Sequence, residues 1–171
     1  MSDLSSKFVS NCRAILDVFS DTCSKVANPP IAVTTFNIVD IALGAVDGES
    51  MLKYYARETS MYWDKIEQKD ESYVCNNVDV ILNSVNIDPG TRELINSLIN
   101  SDKMSKVVDL INKNDRGVPE EERDMTYIWE AMSALVRLSI KYVDYTRLRN
   151  PQALPEIKFD VKQMKARYVR D

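Results

Sequence analysis

Apolar residues recur at spacings of one, three and four along most of the chain, most regularly between Leu4 and Val26. In that stretch they are Phe8, Val9, Cys12, Ile15, Leu16, Phe19, Cys23 and Val26. This spacing places apolar side chains on one face of an α-helix. The 171 residues include only four glycines and six prolines, which leaves little material for the tight turns of a strand-rich fold. The pattern predicts an all-α fold, an irregular bundle of six to eight helices.

Prolines, glycines and capping residues divide the chain into predicted helices. These span about residues 4–26, 31–46, 49–67, 70–85, 91–99, 101–112 and 119–148. The last one should begin at Pro119, because proline suits the first turn and the three glutamates that follow favour the positive end of the helix dipole. Trp63 and Trp129 each share an apolar stripe with aliphatic neighbours, so we expect both in the core.

The C-terminal residues are basic, whereas the rest of the chain is acidic. Residues 147–171 contain seven Lys or Arg against three Asp or Glu, a net charge of +4 that leaves −8 elsewhere. Prolines at 151 and 155 interrupt any continuing helix. We predict one helical domain over residues 1–149 and an extended basic C-terminal arm over residues 150–171. The arm either contacts an acidic partner surface or nucleic acid, or folds back on its own acidic body.

The arm is the predicted partner-binding site. Its apolar residues alternate, as in segments that bind by strand addition or groove docking, and its basic residues would steer the approach of an acidic surface. We expect it to order on a partner and to be dispensable for the body. The predicted contact residues are Ile157, Phe159, Val161, Lys162, Lys165, Arg167 and Arg170.

The chain has no histidine, which removes the commonest general base, the commonest zinc ligand and every Ser-His or Cys-His nucleophile. Carboxylates at helical spacing could converge on Mg²⁺, and in this respect the chain resembles all-helical nucleotide pyrophosphohydrolases. These carboxylates are Asp64, Glu67, Asp70, Glu121 and Asp124. Acidic residues so spaced are more typical of a solvated helix face. We therefore predict no catalytic residue, no metal, no cofactor and no enzymatic activity.

Cysteine content and hydropathy indicate the cellular compartment. The three cysteines are an odd number, and Cys12 and Cys23 would lie about 16 Å apart on one helix, so core packing is expected and not a disulfide. No stretch reaches the roughly 18 to 20 apolar residues of a membrane span. The N-terminal residues lack the basic and apolar parts of a secretory signal, so we expect cytoplasmic synthesis.

Residues 57–77 resemble a pattern in small uncharacterised helical proteins of the large double-stranded DNA viruses of eukaryotes. The resemblance rests on the run Tyr-Trp-Asp-Lys-Ile at 62–66 and on Asp70-Glu71 followed by Tyr73. It implies a virus-encoded accessory protein or a minor virion component. It assigns no functional residue.

These observations lead to three functional hypotheses. The first is a non-enzymatic structural or interaction protein, a minor capsid or virion-associated component that contacts other protein subunits through the basic arm. The second is a regulatory adaptor that binds host or cellular proteins through a helical groove. The third is a Mg²⁺-dependent all-α nucleotide hydrolase. Nucleic acid is the less favoured partner, because aromatic residues at helical spacing are typical of a core.

Overall fold

A computed structural model describes residues 2–26, 37, 40, 44, 45, 47–84, 89, 90, 93, 96, 100–158 and 160–169. These residues contain helices and no strand, which confirms the all-α prediction. The helices are α1 (Ser2–Val26), α2 (Gly48–Thr59), α3 (Trp63–Glu67), α4 (Glu71–Ser84), α5 (Ser101–Asn114), α6 (Asp124–Arg149) and α7 (Val161–Tyr168). Single 3₁₀ turns occupy Ser60–Tyr62 and Glu120–Glu122.

Two of the predicted helices fall largely outside the described residues. Of residues 31–46, the structure describes 37, 40, 44 and 45, which are helical and exposed. Of residues 91–99, it describes 93 and 96. The break expected at Asn28-Pro29-Pro30 also lies outside the described residues. The prediction of a central apolar helix over 31–46 therefore stays a prediction.

The predicted helix over residues 49–67 is divided into α2, a 3₁₀ turn and α3. At the division the Thr59 hydroxyl donates to the carbonyl oxygen of Tyr55 at 2.7 Å and accepts from the indole Nε1 of Trp63 at 3.0 Å. A threonine that bonds back to the preceding turn commonly bends a helix. Trp63 follows this division and is fully buried, which confirms its expected place in the core.

Helix α6 begins at Asp124 and not at Pro119, so the predicted start is wrong. Pro119 precedes the 3₁₀ turn, and Arg123 is extended with φ −77° and ψ 136°. The N-terminus of α6 is capped from the preceding loop by Asp115, whose carboxylate accepts from the backbone N of Asp124 at 3.1 Å and of Met125 at 3.0 Å. Gly117, at φ 81°, supplies the left-handed turn that returns Asp115 to this position.

The long helix α6 lies at the centre of the described structure and packs against α1, α2, α3, α5 and α7. Its buried side chains include Val136, Ile140 and Val143, and Trp129 is 7% exposed, as expected for a core residue. The main apolar cluster joins α6 to α1, α2, α3 and α7. A smaller cluster, Val107, Ile111 and Ile128, joins α5 to α6.

Candidate functional site

The described part of the C-terminal segment, residues 150–158 and 160–169, turns back onto the body directly after α6. The guanidinium of Arg147 donates to the carbonyl oxygens of Ala153 at 3.4 Å and Leu154 at 3.0 Å, and also to that of Ile157. Leu154 adopts a left-handed φ of 54°, which costs a non-glycine residue roughly 1 to 2 kcal/mol. The turn persists because the Leu154 side chain is buried and its carbonyl is held by Arg147.

The described end of this segment is helical, which corrects the expectation of an extended arm. Asp160 caps α7 by accepting from the backbone N of Lys162 at 2.9 Å and of Gln163 at 3.3 Å. Val161 and Met164, three residues apart, then face inward together. The alternation that suggested a strand is replaced by a helical stripe.

The structure places two of the predicted partner anchors in the core. Ile157 is 2% exposed and Val161 is 7% exposed, in the same cluster as Leu154 and Met164. Neither side chain is accessible to a partner while α7 is packed, and their predicted role in partner binding stays a prediction. The predicted contact residues Phe159 and Arg170 lie outside the described residues.

Two of the predicted basic contact residues pair with the acidic body. Lys165 Nζ lies 2.6 Å from a carboxylate oxygen of Asp144, and Arg167 Nη1 lies 3.1 Å from Asp64. The hydroxyl of Tyr168 also donates to Asp64. Of the two interpretations of the charge asymmetry, these contacts favour a segment folded back on its own body. Lys162 remains exposed.

A charged cleft lies where α7 meets α3 and α6. It has a volume of about 380 Å³ and is lined by Glu67, Arg137, Lys141, Arg167, Tyr168 and Val169. The Glu67 side chain is 5% exposed and accepts from Arg137 Nη2 at 3.2 Å. Burial raises the pKa of Glu67 against the opposing effect of Arg137. Burial and the hydrogen bond to Asp64 raise the pKa of Tyr168 to about 12.

A second, smaller cleft lies at the N-terminal end of α7, beside the C-terminal end of α6. Its volume is about 280 Å³, and its lining residues are Asp144, Arg147, Leu148, Asp160, Val161 and Lys162. Leu148 is 77% exposed, the most exposed large apolar side chain in the part of the chain that the structure describes.

The carboxylates considered for Mg²⁺ do not converge. Within the described ranges, no three His, Cys, Asp or Glu side chains are grouped as a metal site. Three of these carboxylates face individual cationic groups: Asp64 pairs with Arg167, Glu67 with Arg137, and Asp70 with Lys65. Among the same residues, no helix is long and apolar enough to cross a membrane.

Sequence reasoning missed Arg137, Lys141 and Leu148, which all lie on α6 and line the two clefts. The available signal was weak. Arg137 and Lys141 are four residues apart on one helix, and Leu148 is a single apolar residue between Arg147 and Arg149. No family model matches the chain, and neither a curated protein nor a solved structure matches it.

Proposed function

We propose that the chain is a non-enzymatic interaction protein whose contact surface is the junction of α6 and α7. The observation that carries this proposal is Leu148, a leucine that is 77% exposed on the rim of a cleft between the two helices. Lys162, Asp144 and Asp160 surround it with charge. An apolar centre with a charged rim is the usual anatomy of a protein–protein contact.

The packing of α7 makes this surface preformed. Ile157 and Val161 fix α7 against α6 from beneath, so Leu148 and Lys162 hold their relative positions before a partner arrives. A preformed surface avoids most of the ordering cost that a disordered arm would meet on binding. The buried residues of the segment therefore position the contact, and the exposed ones make it.

The kind of partner is the finer part of the proposal. The resemblance of residues 57–77 supports other protein subunits of a virion, in which the chain would be a minor capsid or virion-associated component. The alternative is a regulatory adaptor that binds host or cellular proteins. Recovery of the chain from purified particles at fixed stoichiometry supports the first, whereas recovery only in complexes with cellular proteins supports the second.

A matched pair of substitutions tests the contact surface itself. Leu148→Gln removes the apolar centre, and Met61→Gln changes a residue that is 70% exposed in the turn between α2 and α3. The free energy of unfolding of each variant should lie within about 0.5 kcal/mol of that of the parent, because both positions are exposed. Loss of a central interface residue typically costs about 2 kcal/mol or more, a fall in affinity of roughly 30-fold.

The measurement is quantitative cross-linking and mass spectrometry of proteins that copurify with each form. We expect Leu148→Gln to lose its main partner and Met61→Gln to retain it. Equal recovery of that partner with both variants and the parent would contradict the assignment of the α6–α7 junction.

A further inference from the structure

Three cationic side chains from two helices line the charged cleft. Arg137 and Lys141 are four residues apart on α6 and therefore lie on one face, and Arg167 stands opposite them near the end of α7. The volume of about 380 Å³ lies within the roughly 300 to 1,000 Å³ range of small-molecule sites. The cleft is therefore large enough for a small anion with part of an attached group.

Two carboxylates hold the guanidinium groups in place and leave donors unused. Glu67 binds Arg137 at 3.2 Å, and Asp64 binds Arg167 at 3.1 Å. A guanidinium has five N–H donors, so one carboxylate contact leaves others for a ligand. Lys141 is exposed and contributes three more. The three cationic side chains exceed the two carboxylates by one positive charge even when both carboxylates are ionised.

Glu67 distinguishes this cleft from an ordinary surface ion pair. Its side chain is 5% exposed, and its Oε1 has no hydrogen-bond partner. An unsatisfied buried carboxylate oxygen destabilises the fold, in contrast to a solvated surface carboxylate. The same carboxylate orients the half-exposed guanidinium of Arg137, which lines the cleft, and a binding group held by a second side chain in this way is preorganised.

A smaller cleft adjoins the charged one and shares Arg137 and Lys141 with it. Its volume is about 230 Å³, and its other lining residues are Lys7, Asn11, Ala134 and Leu138. Ala134 and Leu138 are four residues apart on α6 and give this cleft an apolar wall. The two clefts together offer a cationic end and an apolar end.

We propose that this pair of clefts binds a small-molecule phosphate monoester with an apolar substituent. The phosphate oxygens contact Arg137, Lys141 and Arg167, and the substituent lies against Ala134 and Leu138. Phosphate suits the charged end better than a carboxylate does, because its three terminal oxygens can meet donors that arrive from both helices. The site is separate from the Leu148 surface and does not depend on the proposed interaction function.

Isothermal titration calorimetry at constant ionic strength tests the proposal. The probes are phenyl phosphate, inorganic phosphate and sodium sulfate, and the proteins are the parent, Lys141→Ala and the control Lys53→Ala. Lys53 is exposed on α2 and lines neither cleft. We expect saturable binding of phenyl phosphate, with weaker binding of inorganic phosphate and of sulfate. Loss of one charge-assisted hydrogen bond corresponds to a fall in affinity of about tenfold in Lys141→Ala, and Lys53→Ala should match the parent.

Three results would overturn the proposal. The first is an absence of saturable phenyl phosphate binding to the parent. The second is an equal affinity in Lys141→Ala and Lys53→Ala, which would mean nonspecific attraction to a positive surface. The third is phenyl phosphate binding no more tightly than inorganic phosphate, since the apolar end would then contribute nothing. Thermal melts of both variants verify that each remains folded.

Discussion

Replacing Ile157 with alanine should destabilise the whole protein and not only the C-terminal segment. Ile157 is 2% exposed in the main apolar cluster, which also contains Trp63 and Val143. Truncation of a buried isoleucine to alanine costs about 2 to 5 kcal/mol, through lost burial and the cavity that remains. We expect about 3 kcal/mol here, a large part of the roughly 5 to 15 kcal/mol that stabilises a domain.

Thermal unfolding followed by circular dichroism at 222 nm and by tryptophan fluorescence measures this loss. For a chain of this size each kcal/mol lowers the melting temperature by about 2 to 4 °C, so a fall of about 6 to 12 °C is expected. Both signals should shift together, because Trp63 lies in the same cluster as Ile157. The matched control is Lys158→Ala, one residue away and exposed, which should change stability by no more than about 0.5 kcal/mol.

An Ile157→Ala variant as stable as the parent would refute the reasoning. It would show that the segment does not pack on the body in solution, and the division into a domain over 1–149 and an arm over 150–171 would then hold.

Deletion of residues 152–171 is the stronger form of the same test. It removes four buried side chains worth about 1.5 to 3 kcal/mol each, so we expect loss of cooperative unfolding. Those side chains are Leu154, Ile157, Val161 and Met164.

Three further outcomes follow from individual contacts. Arg147→Lys should lower the midpoint of urea unfolding, because an ammonium group cannot span the three carbonyl oxygens that the guanidinium holds. Asp70→Asn should destabilise α4 at pH 7 in thermal melts. The hydrogen bonds from Lys65 and Tyr73 lower the pKa of Asp70 below 3.8. The stability that the ionised carboxylate adds is therefore present at pH 7 and is lost as the pH falls through the lowered pKa. Below that pKa, the parent and the variant should have the same stability. Burial raises the pKa of Cys12 to about 12, so peptide mapping should find Cys12 unmodified by iodoacetamide at pH 8 in native protein and modified in urea.

The sequence predicts those elements whose signals are local. Helix α1 follows from apolar spacing alone. The start of α4 follows from Asp70, whose carboxylate accepts from the backbone N of Tyr73 at 3.0 Å, three residues further along the chain. The burial of Trp63 and Trp129 follows from their aliphatic neighbours at helical spacing. In each case the information lies within one or two helical turns.

Other features depend on the path of the chain and were therefore missed. The cap of α6 comes from Asp115, nine residues before Asp124, and a search for a capping residue next to the helix finds only Pro119 and the glutamates. The turn after α6 depends on Arg147, which in the sequence is only one of seven basic residues near the C-terminus. Its guanidinium instead satisfies carbonyl oxygens up to ten residues away.

The C-terminal segment shows how one short apolar pattern can fit two structures. Residues 157, 159 and 161 alternate as in a strand, but 154, 157, 161 and 164 are spaced by three and four as in a helix. Pro155 argues against one continuous helix over this stretch, which favoured the strand interpretation. The structure resolves the conflict with a turn at Leu154 and a separate helix from Val161, so that all four residues of the second pattern are buried.

Apolar packing, and not the charge asymmetry, determines where α7 lies. Two ion pairs hold α7 to the body, and their cations are partly exposed: Lys165, paired with Asp144, is 45% exposed, and Arg167, paired with Asp64, is 55% exposed. Such pairs contribute about 0 to 1 kcal/mol each. Burial of Ile157 alone exceeds that. The ion pairs instead select the orientation of the α7 end and bring Arg167 to the cleft that holds Arg137. The cationic cleft therefore lies at the C-terminal end of α7, while the exposed Leu148 near the N-terminal end of α7 remains available for contact.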